Sequence, residues 1–136
     1  SAEDALRHAV ALDPSDAMAR RHLALALASR GERAEARAEL RRLLAVAPDD
    51  QPARTDLGVL ALADGDVAEA LAELDLASDT GDSRARFYQA AALSQLGRQA
   101  DATSVLRELA AEGEGKYFDL ARQALVGSDE SVLPGQ

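Results

Sequence analysis

Histidine is the side chain most apt for acid–base work near neutral pH and a common metal ligand, and this chain has two, His8 and His22. They fall on different predicted helices with no carboxylate at metal-ligand spacing, so both read as surface side chains. The stretch Gly113-Glu114-Gly115-Lys116 has the ending of a phosphate-cradling loop. That motif requires a further glycine five residues before its last one and a hydroxyl residue after the lysine, and Ala110 and Tyr117 stand there instead. Asp75, Asp79, Gly81 and Asp82 lack the alternating ligands and terminal glutamate of a calcium loop. Glu35, Glu39, Glu69 and Glu73 read as solvated carboxylates on helix faces. No serine has the strand–turn–helix setting of an activated nucleophile, and there is no cysteine. The expectation is a protein with no catalytic, cofactor-binding or metal-binding residue, and no enzyme.

Charge narrows the partners. The formal net charge is −9 and the isoelectric point about 4.6, the opposite of the basic stripe that a nucleic-acid binder needs and of the basic face of an interfacial helix. No apolar run approaches the roughly 20 residues of a membrane span. Nucleic acid and direct membrane insertion are therefore not expected, and the compartment is left open between cytoplasm and periplasm.

Apolar content comes mostly from alanine and leucine, both strong helix formers, and no β-branched run of strand length occurs. Glycine is placed with a period. Gly31, Gly65 and Gly97 recur at nearly equal intervals, the second slightly shorter than the first. Each is followed by the same pattern: Ala34, Ala36, Leu40; Ala68, Ala70, Leu74; Ala100, Ala102, Leu106. Ala2, Leu6 and Ala9 anticipate Ala36, Leu40 and Leu43 by the same interval that separates Gly31 from Gly65. Pro14 and Pro48 follow the corresponding helices, where proline ends a helix and turns the chain. The periodicity predicts helices over 2–12, 16–30, 33–46, 51–63, 67–79, 83–96, 99–112 and 116–126. Asp16 and Asp50 are expected N-caps, Asp66 with Glu69 has the form of a capping box, and Arg41 and Arg42 are placed toward a helix C-terminus.

These residues resemble the tetratricopeptide repeat family, whose unit of about 34 residues is a helix–turn–helix, in an Ala/Arg-rich form of bacterial type. Small residues stand mid-way along each first helix (Ala24, Gly58, Ala90), then glycine between the helices and alanine early in the second. Repeats are expected over 17–50, 51–82 and 83–113, with a half repeat at 1–14 and a terminal helix at 114–126. The whole of 1–126 reads as one domain and 127–136 as a disordered tail. The first helix reads as the second half of a repeat, either a cap or the start of a cut-down array. The resemblance implies an all-α, right-handed superhelical solenoid of antiparallel helix pairs, about eight helices in all. The pattern departs at the fourth position, arginine in every unit (Arg20, Arg54, Arg86), and at the eleventh (Leu27, Ala61, Leu93).

In the family the first helix of each pair lines a concave surface. A helix turns about 100° per residue, so positions two, five, nine, twelve and thirteen share a stripe. Partner-binding candidates are Met18, Arg21 and Leu25; Thr55, Val59 and Leu62; and Arg84, Phe87, Ala91 and Gln95. Leu25 lies nearly opposite Leu23 on its helix, which gives that helix apolar residues on two sides. Arg21 and Arg84 are candidate anchors for acidic groups. The aromatic pairs Phe87–Tyr88 and Tyr117–Phe118 are candidate hot spots, with Phe87 on the stripe. The carboxylate clamp of chaperone-binding family members is not expected, because Leu25, Asp56 and Tyr88 break its pattern. The implied function is a protein–protein interaction scaffold that takes a peptide or a partner's helix. The alternatives are homo-oligomerisation through the end helices, and a substrate-recruiting extension of a larger enzyme.

Overall fold

The computed structural model describes residues 1–132, and among them the regular structure is entirely α-helical. Eight helices follow in order: α1 Ala2–Leu12, α2 Ala17–Ser29, α3 Arg33–Val46, α4 Gln51–Ala63, α5 Val67–Ser78, α6 Ser83–Gln95, α7 Gln99–Glu112 and α8 Lys116–Val132. The chain packs as two compact units, Ser1–Glu73 and Leu74 onward, where the sequence reads as one domain.

In the first unit α1, α2, α3 and α4 pack each on the next. Its core is Leu23, Ala24, Leu27, Ala36, Leu40, Leu43, Ala53 and Leu57, with Leu6 and Val10 of α1 against it. Ala24, Ala36 and Ala53 let helix axes approach closely, while the leucines fill the seam. Each helix alone would leave its apolar stripe in water, so the stability of the unit is that of its helix–helix interfaces. In the second unit α6, α7 and α8 pack mutually around buried Ala85, Ala90, Leu93, Ala102, Leu109 and Ala121.

The turns follow from side-chain chemistry. Asp16, Asp50 and Asp82 precede α2, α4 and α6, and their carboxylates accept from the backbone N–H of Ala19, Ala53 and Arg84. The chain reverses between α2 and α3 through Gly31 at φ 83°, and between α6 and α7 through Gly97 at φ 81°, a region costly for any side chain with a Cβ. Only half of the capping box forms. Glu69 N–H donates to Asp66 Oδ1 at 3.4 Å, but the Glu69 carboxylate is taken by Arg37 and Arg41.

Arginine at the fourth repeat position ties the helix pair together. Arg20 Nη1 donates to Glu39 Oε2 at 2.8 Å, and its Nη2 to the Pro14 carbonyl at 2.8 Å. Arg54 repeats this with Glu73 at 2.7 Å and the Pro48 carbonyl at 2.6 Å. In the third repeat Val105 stands where the glutamate would be, and Arg86 turns to Glu112 and Glu108 instead.

Several sequence expectations are corrected. Glu35, Glu39, Glu69 and Glu73 are not a free solvated set: each pairs with arginine, and Glu39 is buried between Arg20 and Arg42. Arg41 and Arg42 lie in the C-terminal half of α3, as expected, but short of its last turn, which holds no basic residue. The tail expected to be disordered from 127 is helical as far as Val132; Gly127 is not among the glycines at positive φ, and no proline interrupts the chain before Pro134. The rest of that tail lies outside the described residues.

Candidate partner-binding site

The ten sequence candidates divide between the two units. In the second, α6 brings Phe87, Ala90, Ala91 and Ser94 to the wall of a pocket that Leu106 of α7 and Ala124 of α8 complete. Three alanines, where larger side chains would interdigitate, leave the space. It measures about 180 Å³, comparable to the roughly 150 Å³ apolar cavity that accepts benzene in a packed helical protein. Among the described lining residues Ser94 alone has a polar side chain, so they offer dispersion and desolvation but little hydrogen bonding.

Phe87 stands at this wall in contact with two tyrosine rings. Its ring meets Tyr88 edge-on at 5.4 Å between centroids and Tyr117 at 6.0 Å, and Tyr88 and Tyr117 are 6.0 Å apart. Such edge and tilted contacts suit the aromatic quadrupole. Phe118, the fourth aromatic, packs on the α7–α8 turn, where a Cβ on Gly113 would lie 3.3 Å from its Cζ. The glycines of the Gly113–Lys116 stretch thus serve a turn under a phenyl ring. Gln95 is exposed at the end of α6 and Arg84 half-buried near its start. Arg84 has a partner of its own, so the expected free anchor is corrected.

In the first unit the stripe is uneven. Met18 and Leu25 are exposed, at 70% and 38%, and Val59 and Leu62 are half-buried. Two candidates are corrected. Thr55 is wholly buried, and Arg21 is not an open anchor: its Nε donates to Asp56 Oδ2 at 2.6 Å, with the Asp56 side chain only 1% exposed. The carboxylate that breaks the family's clamp pattern also occupies the arginine that would have begun it.

His8 and His22 are exposed. Asp75 accepts from Gln89 at 2.8 Å and Asp82 caps α6, which accounts for two members of the acidic stretch. Sequence reasoning missed Ala90, Leu106 and Ala124. Ala124 was within reach, since the stripe rule carried one more repeat beyond Ala91 arrives at it. Leu106 was read only as part of the repeat pattern, and nothing in that pattern says its side chain borders a void.

No protein-family model matches the chain, and no curated protein sequence does either. Solved structures do. The crystal structure of MamA superposes with a TM-score of 0.78 over 96% of this chain and 80% of that one, at 17% identity. A MamA AMB-1 structure is 26% identical with a TM-score of 0.69, over 75% of this chain and 62% of that one. A further MamA crystal structure is 22% identical with a TM-score of 0.72, over 84% of this chain and 67% of that one. The chain accordingly has the all-α fold of tetratricopeptide-like helical repeat proteins.

Proposed function

We propose that this chain is a non-catalytic protein-interaction module that seats one apolar side chain of a partner peptide or helix in the pocket beside Phe87. The pocket is the observation that carries the reading. Its lining is apolar, its volume matches a single leucine, methionine or aromatic side chain, and a pre-packed aromatic forms its wall. A rigid aromatic beside a small void is the arrangement in which interface hot spots concentrate, because little entropy is lost on docking. The MamA likeness supports the fold-level part of this reading, an array of helix pairs. Arg21 has no part in the proposal, being committed to Asp56.

A displayed library of random peptides, selected on the purified chain, tests this. Enriched peptides should share one large apolar residue and lose binding to Ala91→Leu, which fills the pocket, and to Phe87→Glu, which charges its wall. Peptides that bind both variants as well as the native chain would show that the pocket is not the recognition site. Light-scattering mass over a concentration series, run alongside, separates partner binding from self-association: a mass rising in integer steps would favour a self-assembling repeat protein instead.

A further inference from the structure

The two ends of the helix stack in the first unit differ in how their charges are used. At the end where α2 turns into α3 and α4 finishes, the acidic groups are matched by arginines. Glu3 pairs with Arg7 and Arg30, Asp64 with Arg33 and Arg37, and Asp66 with Arg37. At the other end, where α1 turns into α2 and α3 into α4, stand Asp13, Asp16, Asp49 and Asp50. None of these four forms an ion pair with a cation among the described residues. Asp16 and Asp50 cap helices, whose N-terminal dipoles take up part of their charge. The Asp13 carboxylate accepts only from Ser15 among the described residues, and Asp49 is exposed without a charged partner.

This unmatched end also carries the unit's most exposed large apolar side chains. Leu12 is 74% exposed, Met18 70% and Val46 59%, with Pro14 and Pro48 exposed beside them. The placement is periodic: Leu12 and Val46 are one repeat apart, as are Pro14 and Pro48. Scattered exposed apolar residues are ordinary. Two successive turns that each present an aliphatic residue and a proline next to uncompensated aspartates are a repeated surface, and the repeats that build it are stacked on each other. The nearby arginines Arg20 and Arg54 are unavailable to neutralise it, being fixed on Glu39 and Glu73.

We propose that this edge of the first unit, the turns 12–18 and 46–52, is a docking surface for a cationic amphipathic segment of a partner protein, distinct from the Phe87 pocket. Leucine-like residues of the partner would cover Leu12, Met18 and Val46, while its lysines or arginines face Asp13 and Asp49. Charge argues against the other occupants. A second copy would bring the same four aspartates and a net charge of −9, and an anionic lipid surface would be repelled for the same reason.

The test uses a fluorescein-labelled helical peptide of leucine and lysine, its counterpart with glutamate for lysine, and a third with alanine for leucine, each titrated by anisotropy onto the full chain. The lysine–leucine peptide should bind, and both counterparts should bind at least about tenfold more weakly. Met18→Asp with Val46→Asp should weaken the lysine–leucine peptide about tenfold or more. Asp13→Asn with Asp49→Asn, which leaves the N-caps Asp16 and Asp50 and the core in place, should weaken it and flatten its salt dependence. Phe87→Glu should leave it unchanged, which separates this surface from the pocket. Equal binding by both aspartate-to-asparagine and native chains, or loss of binding in Phe87→Glu, would overturn the proposal. So would peptide-independent dimerisation abolished by Met18→Asp, or binding of the chain to phosphatidylserine vesicles in preference to the peptide.

Discussion

Arg20 and Arg54 occupy the same position of successive repeats and make the same two hydrogen bonds, one to a glutamate further along the chain and one to the carbonyl of the proline before the helix. Each thereby joins the first helix of its repeat to the second and to the turn before it. The four side chains are between 10% and 21% exposed, which places these pairs well inside the water-screened limit without the full desolvation cost of a buried ion pair.

Replacing Arg54 with alanine removes two charge-assisted hydrogen bonds and leaves Glu73 without its partner. The expected loss is about 1–2 kcal/mol of unfolding free energy, read as a lower urea midpoint. Glu73→Ala combined with Arg54→Ala should cost less than the sum of the two single changes. A double-mutant cycle with no coupling would show that the pair is incidental.

Acid should weaken the first unit in a defined window. Hydrogen bonds, from Arg33 to Asp64 and from Arg37 to Asp66, hold both carboxyls below their ordinary value of 3.8. A carboxyl whose folded value is depressed stabilises the fold above its unfolded value, and that contribution disappears as the pH falls through the folded one. Melting temperature should therefore fall as the pH drops below about 4. In Arg37→Gln the fall over that range should be shallower, from a lower starting point at neutral pH. These groups lie at the surface, so added salt should shrink the difference between the two proteins.

Gly31→Ala and Gly97→Ala should each destabilise by about 1–2 kcal/mol, although a Cβ at either position meets nothing within 4 Å. The cost lies in the backbone, at φ 83° and 81°, and not in crowding. Gly127, also in open space but within α8, should show the reverse sign, since alanine is the better helix former. Thermal melts of the three variants give both signs in one experiment.

A small apolar probe should enter the Phe87 pocket. Titrating benzene into protein with labelled leucine methyls should move the Leu106 resonances and leave those of Leu40, in the core of the first unit, in place. Ala91→Leu, by filling the void, should abolish the shift with little change in stability. Shifts that spread evenly over all leucines would mean that no discrete pocket takes the probe.

The backbone course was legible because it rests on period and punctuation. Glycine at each hairpin, aspartate before α2, α4 and α6, and alanine–leucine seams all act locally, and local rules survive translation into space. What escaped was the partnering of long side chains. Arg21 could be placed on a stripe from its position, but its commitment to Asp56 depends on a contact between α2 and α4, a full repeat away in the chain. Thr55 fell on the same stripe and is buried, because a helical wheel gives direction and not the distance to the next wall. The glutamates at 39 and 73 looked solvated for a related reason: Arg20 and Arg54 reach them from the preceding helix, outside the three- and four-residue spacings that sequence reasoning examines for ion pairs, and only the contact of Arg42 with Glu39 falls inside them.

The arginine–glutamate–proline clasp has a bearing on how such a chain assembles itself. All of its members lie within less than one repeat, from Pro14 to Glu39 or from Pro48 to Glu73. Closing so short a loop costs little entropy, and contacts at short sequence separation favour rapid folding. The clasp therefore ties a repeat to the turn that precedes it before any distant part of the chain is needed. A segment running from one such proline to the next would carry its own fastening wherever it was inserted, so the array could lengthen by duplication without redesign of its joints.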